Sequence, residues 1–355
     1  MKRVDVFYTK SDHLVRIMTG LHMLEEQKIL KCQYIEDRDH RILPTSANML
    51  EMQIDGMRIA FDLRDASALQ QEKNYQYLDS VDAYFERSHT DWRSHPKLQN
   101  SAHKIHPFGF NYYTTYPGNP AFYAAGFRRG MKGIAQDIIN NSACTRAASF
   151  EGTASCCSDR SPTILFMARL WDPKDVKIRS DMTEQEKAYR KHMMEEREKI
   201  NSDRIEICRK LRKTYGASFC GGIQRTSCAK KKCPDLILPT YLTLKMNYLR
   251  VMKKSDICIG SAGLEKSIGW KTGEYVAAAR AIVCEEPAYI LPGDFREGVH
   301  YISYNDPASC LEAVEQLYHS PERIYEMQCA NEQYYREYLR PDRQIMNALE
   351  ICGVF

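Results

Sequence analysis

The sequence predicts an α/β protein of two domains, each an open sheet of mainly parallel strands. Three observations predict it. The chain has 355 residues, a length at which one core commonly gives way to two. Short β-branched or aromatic runs alternate along it with segments of helical spacing. The stretch Ser255–Asp306 adds an apolar run, a loop bearing Gly260, Gly263 and Gly269, a helical segment over Lys271–Arg280 and a second apolar run, Ala281–Cys284. Such a unit places ligands at the carboxyl ends of strands, where helix N-termini suit phosphate. Hydrophobic residues make up 43% and charged residues 27%, the balance of a packed globular chain. A formal charge of +4 gives mild support to anionic ligands and none to nucleic acid.

Val4–Thr9 reads as a first strand, and Asp12 as the cap of a helix over Leu14–Gln27. Ile29–Ile35 is the second strand. Leu50–Asp55 and Met57–Leu63 flank Gly56 as a hairpin inserted into the domain, and Val81–Glu86 follows as a strand. Lys104–Pro120 is rich in Pro, Gly and aromatics and reads as a loop; Phe122 to about Arg160 mixes a short amphipathic helix with small residues. Pro162–Leu170 is a buried strand by composition. Thr183–Tyr215 is a long exposed helix whose narrow apolar stripe is Met193, Ile200, Ile207, Leu211 and Tyr215, its charges reading as a solvated face. Gly216–Gly222 holds a further strand, and a helix runs from the Leu236–Leu238 region through about Lys254. Pro307–His319 and Pro321–Tyr338 are helices with Pro at first-turn positions.

Two motifs carry chemistry. ARLWDPK sets Arg169 after a strand with Lys174 five positions on, and GEYVAAARAIV carries Glu274. Together with PGDFREGVHYISYND, they resemble the donor half of glycosyltransferases of the GT-B architecture, with its "GRL…K" and "E…A" segments, over about residues 160–340. The resemblance implies two Rossmann-like domains facing across a cleft: residues 1–158 on the acceptor side, 159–325 binding a nucleotide sugar, and 326–355 ending in a helix that crosses back. It implies that Arg169 and Lys174 hold the donor diphosphate and that Glu274 holds the ribose hydroxyls. Ala168 stands where the family has Gly. Retaining members often show two glutamates separated by seven residues; here Lys266 occupies the first position and Glu265 lies one residue too far. Either the loop has one extra residue or Lys266 faces the phosphates. Lys271 contacts phosphate or pairs with a carboxylate. Gly263 and Ser267 offer backbone or hydroxyl donors, or serve ordinary loop chemistry.

An acceptor hydroxyl needs a base. Candidates after first-domain strands are His89, Asp65 and His13, each equally readable as a cap or surface group; His106 and Asn111 are further polar residues of the next loop. The expected partners are a nucleotide sugar, as substrate rather than cofactor, and a glycan or lipid-linked acceptor. No metal, no cofactor and no nucleic acid is expected. Cys220, Cys228 and Cys233 lack paired zinc spacing, and thirteen cysteines without regular spacing fit a reducing cytoplasm. The N-terminus lacks the apolar core of a signal peptide. The AKKK run is compatible with peripheral contact at the inner face of the membrane, a solvated face being the commoner reading. Two rivals stand beside the transferase: a nucleotide-sugar epimerase of the same architecture and a non-catalytic nucleotide-sugar-binding protein.

Overall fold

The computed structural model describes residues 1–44, 48–116, 124, 126–128, 130–132, 135 and 145–355. The expectations for the end of the Lys104–Pro120 loop and for much of the segment up to Arg160 lie outside the described residues. The protein is α/β, in two Rossmann-like units. Unit 1 comprises residues 1–151, 287–295 and 332–355; unit 2 comprises 152–286 and 296–331.

Unit 1 opens with β1 (Lys2–Tyr8), α1 (Val15–Glu26) and β2 (Leu30–Glu36), the two strands parallel. Asp12 does not cap the helix. Ser11 does the capping, its hydroxyl accepting the His13 N–H at 3.1 Å, because the chain enters α1 through a 3-10 turn over Asp12–Leu14. The hairpin is β3 (Met49–Ile54) and β4 (Met57–Asp62). Asp55 and Gly56 both have positive φ, 52° and 83°, the backbone that matches a tight hairpin to strand twist. The hairpin is no appendage. β3 pairs antiparallel with β1 on one side and β4 on the other, inside the sheet. After α2 (Tyr75–Ser80) come β5 (Ala83–Glu86) and β6 (Ile105–Pro107), both parallel additions. β6 lies in the stretch expected to be all loop; three residues are too few for a pattern to show. The order is β2-β1-β3-β4-β5-β6, and α3 (Ala147–Phe150) closes this part of the unit.

Unit 2 begins with β7 (Ile164–Ala168), buried throughout. α4 (Glu184–Tyr215) follows, started by a capping box between Thr183 and Glu186. Its buried residues are Asn201, Arg204, Ile207, Cys208 and Leu211. The stripe therefore includes two polar residues and leaves Met193, Ile200 and Tyr215 half-buried. Next come β8 (Phe219–Ile223), α5 (Ser227–Lys232), α6 (Lys245–Lys254), β9 (Ile257–Gly260), α7 (Trp270–Ala277), β10 (Ala281–Glu285) and β11 (Ile302–Tyr304). All pairings are parallel, in the order β11-β10-β9-β7-β8. α8 (Pro307–Tyr318) packs its Cys310, Val314 and Leu317 into the same core as Ile164, Phe166, Ile257 and Val283. α9 (Pro321–Tyr334) is followed by a π turn over Tyr335–Leu339 and by α10 (Pro341–Ile351), which lays Ile345, Ala348 and Leu349 in the unit 1 core beside Ile17 and Leu21 of α1.

Candidate functional site

Counted within unit 2, the order β11-β10-β9-β7-β8 is 5-4-3-1-2. The order reverses between β7 and β9, and in doubly wound sheets ligands bind beyond the carboxyl ends of the strands at that crevice. β7 ends at Ala168, and Arg169 follows it, exposed and with no side-chain partner among the described residues. Lys174 sits on a short turn, Pro173–Asp175, whose capping group is the Asp172 carboxylate. It too is exposed and unpartnered among the described residues.

Beyond β9 the chain makes a tight loop to α7. The Gly263 N–H donates to the Ser267 carbonyl at 2.7 Å, and the Ser267 N–H to the Leu264 carbonyl at 3.1 Å. Both backbone donors are engaged inside the loop. A Cβ at Gly263 would lie 2.3 Å from the Ser267 hydroxyl, so a larger residue there would have to displace that side chain. Glu265 and Lys266 adopt consecutive left-handed conformations, φ 56° and 55°, at a cost of about 1–3 kcal/mol each. Glu265 is tied to α4: its N–H donates to the Glu196 carboxylate at 2.7 Å, and its own carboxylate accepts from the Tyr189 hydroxyl. Of the two residues near the first acidic position, Lys266 is the one left exposed, without a partner among the described residues.

The two loops are joined by a residue sequence reasoning missed. Arg204 of α4 is buried. It donates from Nη1 to the Arg169 carbonyl at 2.7 Å, from Nε to the Ser261 hydroxyl at 3.0 Å and from Nη2 to the Ala262 carbonyl at 3.1 Å. Its guanidinium lies 4.4 Å from the Trp171 ring. Burial pulls its pKa down to about 10, still far above neutral pH. Asn201, one turn earlier, holds both backbone groups of Trp171, at 3.0 and 2.7 Å. The signal was present: Asn201 and Arg204 fall in register with Ile207 and Leu211 on a helix otherwise exposed.

Lys271 neither pairs with a carboxylate at hydrogen-bond distance nor stands out as a surface cation. Its ammonium donates to the Met167 carbonyl and lies 4.6 Å from the centre of the Tyr248 ring. Burial is the largest cause that brings its pKa down to about 8. Glu274, the fifth residue of α7, is buried, and its carboxylate accepts from Lys245 at 2.6 Å. Lys245, at the start of α6, had no signal beyond its charge. The unit thus collects cations at one sheet edge, with a carboxylate held in α7 behind them.

In unit 1, without the intercalated β3, the order reads β2-β1-β4-β5-β6, the same doubly wound pattern. His13 follows β1. Its Nδ1 lies 2.9 Å from the Leu63 carbonyl after β4, an oxygen that only accepts, so Nδ1 carries the proton and Nε2 the lone pair. Burial lowers its pKa, with Asp65 opposing. Asp65 accepts from the Arg87 guanidinium, so its carboxylate is already paired. His89 follows β5, and its Nδ1 lies 2.9 Å from the Glu86 carboxylate. Glu86 is fully buried; it also takes the Trp92 indole N–H at 2.5 Å and the Ser67 hydroxyl. Nδ1 of His89 is thereby the donor to this carboxylate. His106, whose pKa burial lowers, sits on β6, and Asn111 donates to the His13 carbonyl at 2.8 Å. Among the described residues, no group of three or more His, Cys, Asp or Glu stands close enough to hold a metal, and no helix is long and apolar enough to cross a membrane.

No family model matches the chain, and no curated protein matches it in sequence. Solved structures do. The chain is similar to UDP-GlcNAc 2-epimerase from Neisseria meningitidis bound to UDP-GlcNAc, at 11% identity over 100% of both chains with a TM-score of 0.43. It is similar to Anabaena Alr3699/HepE in complex with UDP and glucose, at 7% identity over 100% of both chains with a TM-score of 0.42. It is also similar to the C-terminal domain of a glycosyl transferase group 1 family protein (LpcC) from Francisella tularensis, at 10% identity over 54% of this chain and 95% of that one, TM-score 0.34. At such values the likeness is one of α/β architecture and says nothing of substrate.

Proposed function

We propose that the protein is a glycosyltransferase that takes a sugar from a nucleotide-sugar donor and passes it to a hydroxyl acceptor on a glycan or lipid-linked glycan. The observation that supports this reading is the set of exposed cations, without partners among the described residues, at the switch point of unit 2: Arg169 and Lys174 after β7, and Lys266 after β9. The leaving group of such a transfer is a nucleoside diphosphate, so charge accumulates on its phosphate oxygens as the glycosidic bond breaks. Fixed cations at that place lower the barrier. Arg169 supplies a fork to two oxygens, and the lysines supply point charges.

Glu274 is assigned the ribose hydroxyls. In the free protein its carboxylate is taken by Lys245, so the ribose must share or displace that ammonium. Gly263 and Ser267 act as loop formers in this reading. On the acceptor side the base is assigned to a histidine: His89, whose Nδ1 is held by buried Glu86, or His13, whose Nδ1 is held by the Leu63 carbonyl. The reading uses no metal ion and no cofactor.

A thermal-shift screen with UDP, GDP, ADP, CMP and their sugar conjugates, on wild type and Glu274→Gln, tests it. A ligand at a hundredfold its dissociation constant adds about 2.7 kcal/mol of stability. One nucleoside diphosphate and its sugar conjugate are expected to raise the midpoint, less so in the variant. A flat response to every nucleotide would remove the donor site. Interconversion of the donor sugar without an acceptor would make the protein an epimerase instead.

A further inference from the structure

Unit 1 contains a cavity of about 170 Å³ that the donor reading does not use. Its walls include Phe85 of β5, Pro107 and Phe108 after it on β6 and beyond, Pro292, Tyr338 and Ala348 of α10. No side chain that is ionised at neutral pH lines it. Of the amide side chains at its border, Gln344 is engaged at both ends and Asn347 through one N–H. Gln344 donates to the Phe108 carbonyl at 2.6 Å and accepts from Arg16, while Asn347 donates to the Glu337 carbonyl at 2.8 Å. The Pro292 carbonyl accepts the Tyr334 hydroxyl at 2.7 Å. A sugar, a phosphate or a nucleotide placed there would find few hydrogen-bond partners on the walls for the hydroxyls or charges it turns away from water. An apolar guest loses nothing.

Size and shape narrow the class. An apolar cavity of about 150 Å³ holds a benzene-sized guest. The walls are ring faces held close to the backbone by two glycines with positive φ. A Cβ at Gly293, φ 71°, would lie 2.7 Å from the Tyr338 ring, and one at Gly109, φ 90°, would lie 2.7 Å from the Pro292 ring. Tyr338 is further fixed by stacking on Tyr334, with ring centres 5.2 Å apart and planes 30° apart. Flat walls of Pro, Phe and Tyr receive a planar ring in stacked or edge-on contact. At the border, Ile351 is 56% exposed, which leaves a way in from solvent.

We propose that this cavity binds a small, uncharged aromatic molecule with a ring the size of benzene or phenol. All of its walls belong to unit 1, so the proposal stands or falls apart from the nucleotide-sugar reading.

Ligand-observed NMR titration with toluene, p-cresol and methylcyclohexane tests it, with glucose as the polar control. Wild type is compared with Ala348→Phe, which fills the cavity, and Ile351→Trp, which covers its mouth. The expected result is a dissociation constant for toluene and p-cresol below about 1 mM, within the ligand-efficiency ceiling for so few atoms. Binding should weaken at least tenfold in each variant, and methylcyclohexane and glucose should bind more weakly than toluene in wild type. Circular dichroism establishes that each variant is folded; if Ala348→Phe is not, Ile351→Trp decides. Absence of aromatic binding to wild type, unchanged binding in a folded variant, or equal binding of methylcyclohexane would overturn the proposal.

Discussion

The chemistry of unit 2 turns on how each cation is partnered. Arg169, Lys174 and Lys266 are exposed and without partners among the described residues, Arg204 is buried and shared among three oxygens, and Lys271 is pressed beneath the sheet edge. The sequence identified the three exposed cations by their place after strands and in a glycine-bearing loop. It left Lys271 between phosphate and a carboxylate, because spacing along α7 cannot say that the helix turns this residue toward the Met167 carbonyl. It missed Arg204 because a helix dense in charge reads as solvated, although Asn201 and Arg204 lie in register with the apolar Ile207 and Leu211.

Lys271 makes a pH prediction. Its pKa falls from 10.5 in the unfolded chain to about 8 in the fold. Between those values the unfolded state binds more protons, so this group makes stability rise as pH rises from about 8 towards 10.5. Urea unfolding of wild type and Lys271→Met at pH 7.5, 8.5 and 9.5 checks this. Wild type should gain on the variant at each step, and parallel pH profiles would place the amine in water.

Among the elements, strands and helices with a strong period were legible. β1, β2, the hairpin, β7, β9 and β10 fall where the alternation and the apolar runs place them. What stayed hidden was pairing. A hairpin is visible from Asp55-Gly56, but its placement between β1 and β5, with β3 antiparallel to β1 and β4 parallel to β5, is not, because that depends on partners distant in sequence. β6 and β11 have three residues each, too short to show a period.

The resemblance implied a last helix that crosses back to the first domain, but not how closely α10 approaches α1, which depends on one position. A Cβ at Gly20 would stand 2.2 Å from the Pro341 carbonyl oxygen and 2.9 Å from Cγ1 of Ile345. Alanine favours a helix by up to about 1 kcal/mol over glycine, but here it meets backbone at the first turn of α10. Gly20→Ala should therefore lower stability by about 1–3 kcal/mol, read from the shift in denaturant midpoint at constant slope. A neutral or stabilising change would mean that α10 does not approach α1 this closely.

At the scale of the molecule, two units repeat one topological order, interrupted in unit 1 by β3. The α/β class and the two-unit organisation followed from length and alternation. The segment 287–295, read as part of the second domain, groups instead with unit 1, where the Ile290 N–H donates to the His89 carbonyl at 2.9 Å. In both units the polar candidates collect after the carboxyl ends of strands, and the central claim is that the collection in unit 2 receives a nucleoside diphosphate. Isothermal titration of UDP, GDP and ADP into wild type and the Arg169→Ala/Lys174→Ala double variant tests that claim most directly. The account predicts that one of the three binds wild type, and that the double variant loses at least tenfold in affinity, the equivalent of about 1.4 kcal/mol. It also predicts unchanged unfolding, since both side chains are exposed. Equal affinity in wild type and the double variant, or no binding of any of the three to wild type, would contradict it.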